Sequence, residues 1–245
     1  MRIEREGDDP RYQWEKAGRV IRIIGPSDVA HENGIAWSSD ASDLIDEQIR
    51  HFTELQRDFT WKVYAHDSPA DLRERLVARG FEPGPAEAIL VLDAQEARVT
   101  GPVPAGCVLE QVTTPAGIAD LVALQERVWK EDLAWWRNTM EATLRDAPDR
   151  VFILLARVDG QAVSSGMVHF HARKSFAMLG GASTLPEFRG RGLYKAIVAR
   201  RIAEVRARGV RYAATEAHPM SRPILERAGF EHLATAVACL WKRAR

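Results

Sequence analysis

The sequence predicts an α/β protein: a mixed, mostly antiparallel sheet flanked by helices, present as two tandem units. Three observations predict it. From Val108 onward, apolar runs and amphipathic stretches follow the order β-α-α-β-β-β-α-β-α-β, which mixes hairpins with crossovers. Gly80-Phe81-Glu82 recurs as Gly229-Phe230-Glu231, 149 positions later, and at that offset the surrounding helix and strand patterns coincide. Between the copies, Gly101-Pro102-Val103-Pro104-Ala105-Gly106 reads as a linker, dividing the chain into residues 1–100 and 101–245.

In the second part Val108 to Val112 is strand-like, and Ile118 to Lys130 has helical spacing through Leu121, Leu124 and Val128. Leu133 to Leu144 reads as a further helix carrying Trp135 and Trp136. Those two rings cannot face the same way, so at most one lines an acceptor pocket. Val151 to Val158 is a buried strand, and Asp159-Gly160 is a hairpin signal leading into strands at Ala162 to His171 and Ser175 to Thr184. A long helix is expected from Gly190 to Arg208, its apolar face set by Leu193, Ile197, Val198, Ile202 and Val205, with Gly209 to end it. Val210 to Thr215 is a strand, Ser221 to Ala228 a short helix stopped by Gly229, and His232 to Trp241 the last strand. The first part repeats the end of this series: helix at Asp43 to Leu55, strand at Phe59 to Ala65, helix at Asp71 to Ala78, strand at Ala88 to Leu92.

Composition narrows the function. The 245 residues carry no net charge, but residues 1–100 hold 13 Lys+Arg against 20 Asp+Glu, and residues 101–245 hold 21 against 14. The basic second part favours an anionic ligand, and its arginines are too dispersed for a nucleic-acid face. The charged N-terminus lacks the apolar stretch of a signal peptide, and no apolar run approaches the roughly 20 residues that cross a bilayer. A cytoplasmic protein is expected, without nucleic acid or membrane as partner. Cys107 and Cys239 have no metal-ligand spacing, no metal is expected, and both read as small apolar residues.

The chemistry concentrates in Thr184-Leu185-Pro186-Glu187-Phe188-Arg189-Gly190-Arg191-Gly192-Leu193-Tyr194, where a strand enters a glycine-rich turn that opens a long helix. The first turn of a helix has unpaired N–H groups and a partial positive charge, so it attracts phosphate. Glycines allow close approach, and arginines add charge-assisted hydrogen bonds. The missing Gly-Lys-Ser/Thr ending excludes a P-loop. The antiparallel hairpins upstream argue against a dinucleotide fold.

This segment resembles the phosphate arm of the GNAT superfamily of N-acetyltransferases, Arg/Gln-x-x-Gly-x-Gly/Ala, with Arg189, Gly192 and Tyr194 at its three fixed positions. Tyr194 departs from the small residue of the pattern. The resemblance covers residues 107–241, including Ser221 to Phe230 as the later helix ending in Gly-Phe, and a degenerate form covers residues 20–93. It implies that the backbone of Ala182, Ser183 and Thr184 binds pantetheine as an added strand, with Gly180-Gly181 suited to a bulge. It also implies that Arg189, Gly190, Arg191, Gly192, Leu193, Tyr194 and Lys195 hold the pyrophosphate of acetyl-CoA, used as co-substrate.

The usual acid and base of that family do not carry over. Leu225 stands at the position of its tyrosine acid, His218 where an asparagine is common, and Ala213 where a glutamate is common. Glu216, His218 and Ser221 are the candidate catalytic residues nearby, with His169 and His171 as further candidates. Each also has a plain role: Ser221 as a helix N-cap, Glu216 as a solvated or paired carboxylate, the histidines as hydrogen-bonded structural groups. At the 149 offset, Arg189-Gly190-Arg191-Gly192 falls on Asp40-Ala41-Ser42-Asp43, which sets carboxylates where a phosphate would need donors. The expected function is transfer of an acetyl group from acetyl-CoA to an amine of a small molecule or peptide, by direct attack in a ternary complex, in a monomer or homodimer. The alternative is a non-catalytic acyl-CoA-binding or sensor protein.

Overall fold

The computed structural model describes residues 9–39, 42–171 and 175–244, which gather into two compact units. The first comprises the described residues up to Ile89, with Ala217–Pro219 and the chain from Leu233; the second comprises Leu90–Glu216 and Met220–His232. The change of unit therefore falls inside a strand three times, in β5 (Glu82–Asp93), in β10 (Tyr212–Ala217) and in β11 (Glu231–Trp241).

In the first unit β1 (Gln13–Ala17), β2 (Val20–Ile24) and β3 (Gly34–Ser38) form an antiparallel meander. Next come a 3-10 turn at Ser42–Leu44 and helix α1 (Ile45–Glu54), then β4 (Phe59–Tyr64), parallel to β3, and helix α2 (Leu72–Val77). β11 pairs antiparallel with β4, setting Cys239 opposite Trp61. The apolar faces of these elements close over Ile45, Phe52, Phe59, Trp61, Leu72, Leu76 and Phe81. Phe52 stacks on Phe59 at 4.2 Å, and Phe81 meets Phe59 edge-on at 5.3 Å. Burial pushes the Cys239 thiol up to about 11, so it is an inert core residue.

The second unit runs β6 (Cys107–Gln111), α3 (Pro115–Trp129), α4 (Ala134–Asp146), β7 (Val151–Val158), β8 (Gln161–Phe170), β9 (Phe176–Thr184), α5 (Leu193–Ala207), β10 (Tyr212–Ala217) and α6 (Arg222–Arg227). Its strand order is β10-β9-β8-β7-β6, antiparallel except for the parallel β9–β10 pair. Local chemistry explains the ends. Thr114 caps α3 by accepting from the Gly117 N–H at 3.2 Å, and Pro115 fills its first position. Asp159 and Gly160 are both left-handed, as the two-residue hairpin between β7 and β8 requires. The expected mixed, mostly antiparallel sheet with flanking helices is the observed architecture.

The repeated Gly-Phe has a local cause. Gly80 and Gly229 are left-handed at φ 89° and 97°, and Phe81 and Phe230 donate N–H bonds back to the carbonyls of Leu76 and Leu225. Each is a helix C-cap that turns the chain into a strand and drops the phenylalanine into the core.

Several boundaries differ from expectation. The long helix begins at Leu193 rather than Gly190, because Gly190 and Gly192 are left-handed at φ 75° and 84°. β10 begins at Tyr212 rather than Val210, since the Val210 N–H bonds the Val205 carbonyl and completes the end of α5. β5 extends well upstream of Ala88, through Pro83 and Pro85, residues that argue against a strand. β1, β2 and β3 were not expected as individual strands. Of the segment matched to the arm, Asp40 and Ala41 lie outside the described residues.

Candidate functional site

The site follows from how β9 loses its neighbours. Against β8 the ladder runs regularly from Phe170–Ala177 to Met167–Gly180 and resumes at Ser165–Ser183, so Gly181 and Ala182 face Gly166 alone. Gly181, at φ 57°, takes the left-handed turn of this bulge, one residue beyond Gly180. On the other side, β10 pairs with β9 only from Tyr212–Phe176 to Thr215–Leu179, while β9 continues to Thr184. Thr215, buried, closes the wedge by donating to the Leu179 carbonyl at 3.0 Å. Gly180 to Thr184 thus run on past the end of β10 as a strand edge, the kind of edge to which an extended ligand can add.

That edge leads directly to the glycine-rich turn. Pro186–Phe188 is a single 3-10 turn, and Gly192 begins α5 without a side-chain cap. The first intrahelical bond runs from the Ala196 N–H to the Gly192 carbonyl, so the N–H groups of Gly192, Leu193, Tyr194 and Lys195 make no helix bond. Arg189 and Arg191 are exposed beside them; Arg189 Nε donates to the Thr184 carbonyl at 3.2 Å, and Arg191 lies over the Phe188 ring at 4.8 Å. Tyr194 turns its ring inward toward Arg201, with 6.0 Å between ring centroid and guanidinium carbon. The predicted linker is no free spacer. A Cβ on Gly101 would stand 2.3 Å from the Lys195 carbonyl oxygen, so this glycine presses on the first turn of α5.

A bulge frees backbone carbonyls that must find donors elsewhere. Here side chains supply them. From α3, Gln125 Nε2 donates to the Gly181 carbonyl at 2.6 Å and to Ser165 Oγ at 2.9 Å. Ser165 Oγ also donates to Gly181 at 2.9 Å, and Ser183 Oγ donates to Gln125 Oε1 at 2.6 Å. Trp129 Nε1 reaches both Gln125 Oε1 and Ser183 Oγ at 2.9 Å. From α5, Arg201 Nη1 approaches the Met167 and Gly180 carbonyls at 3.3 Å each. A Cβ on Gly181 would lie 2.9 Å from Met167 Sδ and 3.7 Å from Trp136 Cζ2, so Trp136 of the tryptophan pair faces the bulge.

The structure therefore joins Ala182, Ser183 and Thr184 to Arg189 through Lys195 in one continuous feature. The candidate catalytic residues are less concentrated. Glu216 is exposed near the end of β10, and Ser221 sits at the start of α6 without making a capping bond to it. His218 belongs to Ala217–Pro219, which groups with the first unit. Ala213 and Leu225 are buried. Sequence reasoning missed Gln125, Ser165, Trp129, Gly166 and Arg201 as parts of the site. The readable signal was polarity in an apolar stripe: Gln125 lies beside Leu121 and Leu124, and Arg201 beside Ile197, Val198 and Ile202.

A strand edge that runs into an uncapped, arginine-flanked helix start has the chemistry that suits an extended ligand with an anionic end. Residues 112–233 match the model of the acetyltransferase (GNAT) domain family. The chain belongs to the GNAT family of acetyltransferases through this domain. Solved structures share the fold: a GCN5-related N-acetyltransferase from Kribbella flavida is 19% identical, with a TM-score of 0.72 over 98% of this chain and 93% of that one. A tandem GNAT protein from the clavulanic acid biosynthesis pathway is 17% identical, with a TM-score of 0.66 over 96% and 85%. A GCN5-related N-acetyltransferase from Sphaerobacter thermophilus is 14% identical, with a TM-score of 0.63 over 92% and 81%. No curated protein matches the chain. Among the described residues no helix is long and apolar enough to cross a membrane, and no His, Cys, Asp and Glu side chains group as a metal site.

Proposed function

We propose that the protein transfers the acetyl group of acetyl-CoA to an amine of a small molecule or peptide, by direct attack within a ternary complex. The observation that carries this reading is the continuity of the Gly180–Thr184 edge with the uncapped start of α5. Pantetheine adds to the edge as a short strand, and the pyrophosphate takes the N–H groups of Gly192 to Lys195 with Arg189 and Arg191 beside it. In this reading residues 101–245 form the acetyl-CoA-binding domain and residues 1–100 a degenerate GNAT-like domain.

The amine nitrogen attacks the thioester carbonyl carbon, the C–N bond forms, and the C–S bond breaks with its electron pair leaving on sulfur. The proton shed by the nitrogen neutralises the thiolate. Glu216 is the proposed base, at the end of the strand that diverges from β9. Much of the rate is supplied by holding the two reactants together, an effect whose ceiling is about 7–11 kcal/mol. The competing reading, an acyl-CoA binder without turnover, draws on Leu225, which is buried in α6 and brings no proton donor.

Calorimetry and CoA release decide between them. Acetyl-CoA at about 100 times its dissociation constant should stabilise the fold by roughly 2.7 kcal/mol. An amine panel should yield free CoA, and Glu216→Gln should lower turnover while acetyl-CoA affinity stays near that of the parent protein. Binding without turnover on any amine would leave the binder reading, and no binding at all would remove both.

A further inference from the structure

Arg201 is 1% exposed, in the apolar stripe of α5 between Ile197, Val198 and Val205. Its Nη1 serves the Met167 and Gly180 carbonyls, while Nε and Nη2 have no hydrogen-bond partner among the described residues. A guanidinium stays charged inside a protein, so this is a buried cation with Tyr194 beside it and, among the described residues, no carboxylate against it. Burial pulls its pKa down, and Tyr194 opposes that shift. Among the described residues, the elements packed on α5 bring no anion to it. β9 carries no titratable side chain; on β8, His169 alternates to the face opposite Gly166; on β7, Arg157 is paired with Glu110 and Asp120. On α5 itself, Glu204 is engaged by Arg200 and Arg208.

The fold does not call for a charge here. At the 149 offset the residue matching Arg201 is Phe52, fully buried and stacked on Phe59. The chain even makes room for the guanidinium, since a Cβ on Gly166 would lie 3.1 Å from Arg201 Cζ and 2.6 Å from Ile197 Cγ2. The location is what distinguishes it. With the pyrophosphate at the start of α5, pantetheine runs back along the edge from Thr184, and its sulfur end arrives near Gly180, whose carbonyl Arg201 holds.

We infer that Arg201 is a positioning residue for the transfer site, which shapes the β9 bulge and places a fixed positive charge behind the sulfur of the bound coenzyme. This rests on the coenzyme placement proposed above. As the C–S bond breaks, the electron pair moves to sulfur, and that charge stabilises the thiolate before it takes the proton lost by the amine nitrogen.

The test needs no acceptor. A nearby cation should lower the pKa of the bound CoA thiol by about one unit at an effective dielectric constant of about 20. The ratio of the acetyl-CoA dissociation constant to that of CoA, measured by calorimetry from about pH 7 to pH 10, should therefore rise about tenfold and then level off above the pKa of free CoA. Titrations of protein groups common to both ligands cancel in the ratio. Arg201→Lys should keep the rise, and Arg201→Met should flatten it while acetyl-CoA still binds. A flat ratio in the parent protein, or an unchanged rise in Arg201→Met, overturns the inference. The parent curve alone decides if the methionine variant does not fold. Absence of binding by either ligand would instead overturn the coenzyme placement, and this inference with it.

Discussion

The two Gly-Phe units of the chain share a frame and differ at the turn before their first helix. Leu76 and Leu225, 149 positions apart, are both buried, and each receives the N–H of its phenylalanine across a left-handed glycine. Their shared strand and helix order survives because core packing and C-cap geometry constrain it. The turn does not survive. In the second unit it holds left-handed Gly190 and Gly192 with exposed Arg189 and Arg191; at the matching place in the first, Asp43 is bridged to Arg19 at 2.6 Å. A carboxylate at a helix start satisfies the helix dipole itself, so it competes with a phosphate for the same groups. The lesson is that two units can keep one core frame while the turn before the helix changes its charge and its backbone geometry.

The largest effect should come from giving the second unit the charge of the first. Gly192→Glu places a Cβ at a φ of 84° and a carboxylate where the pyrophosphate would lie. Acetyl-CoA affinity should fall at least about 100-fold, and the parent protein should bind one coenzyme per chain, the N-terminal carboxylate opposing a second. A stoichiometry near two by calorimetry, or undiminished binding by Gly192→Glu, would break the comparison.

An intermediate effect is expected from Gly101→Val. Its Cβ would meet the backbone of Lys195 and Ala196 at 2.3–2.9 Å, atoms that cannot turn aside as a side chain can. The first turn of α5 must shift, so stability should fall by about 1–3 kcal/mol and coenzyme affinity about tenfold. Chemical denaturation and calorimetry on the same preparation measure both. Loss of stability with full affinity would mean that the arm tolerates movement of this turn.

Asp43→Ala should do least. It removes an ion pair whose two side chains are 45% and 63% exposed, so the stability change should stay within about 1 kcal/mol and coenzyme affinity should be unchanged. Lost coenzyme binding in this variant would show that the first unit, not the second, carries the site.

How much of this was legible in the sequence depended on how local its cause was. Gly209, Gly229 and Asp159-Gly160 were readable because backbone sterics alone demand such residues at those turns. The Arg189–Gly192 turn was readable because its chemistry lies within a few consecutive residues. β1 to β3 were not, being five-residue strands whose identity comes from pairing rather than from a long periodic pattern.

The sequence by itself determined the order of elements from Val108 onward, the Gly-Phe repeat and the glycine- and arginine-rich turn, since each follows from neighbours along the chain. Only the tertiary structure decided where β9 parts from β10, that Gln125, Ser165 and Arg201 meet at the bulge, and that Gly101 rests on the arm. Gln125 and Gly181 are 56 residues apart, and Arg201 and Gly180 are 21 apart. Their meeting is fixed by strand register and helix packing, which local propensity does not encode.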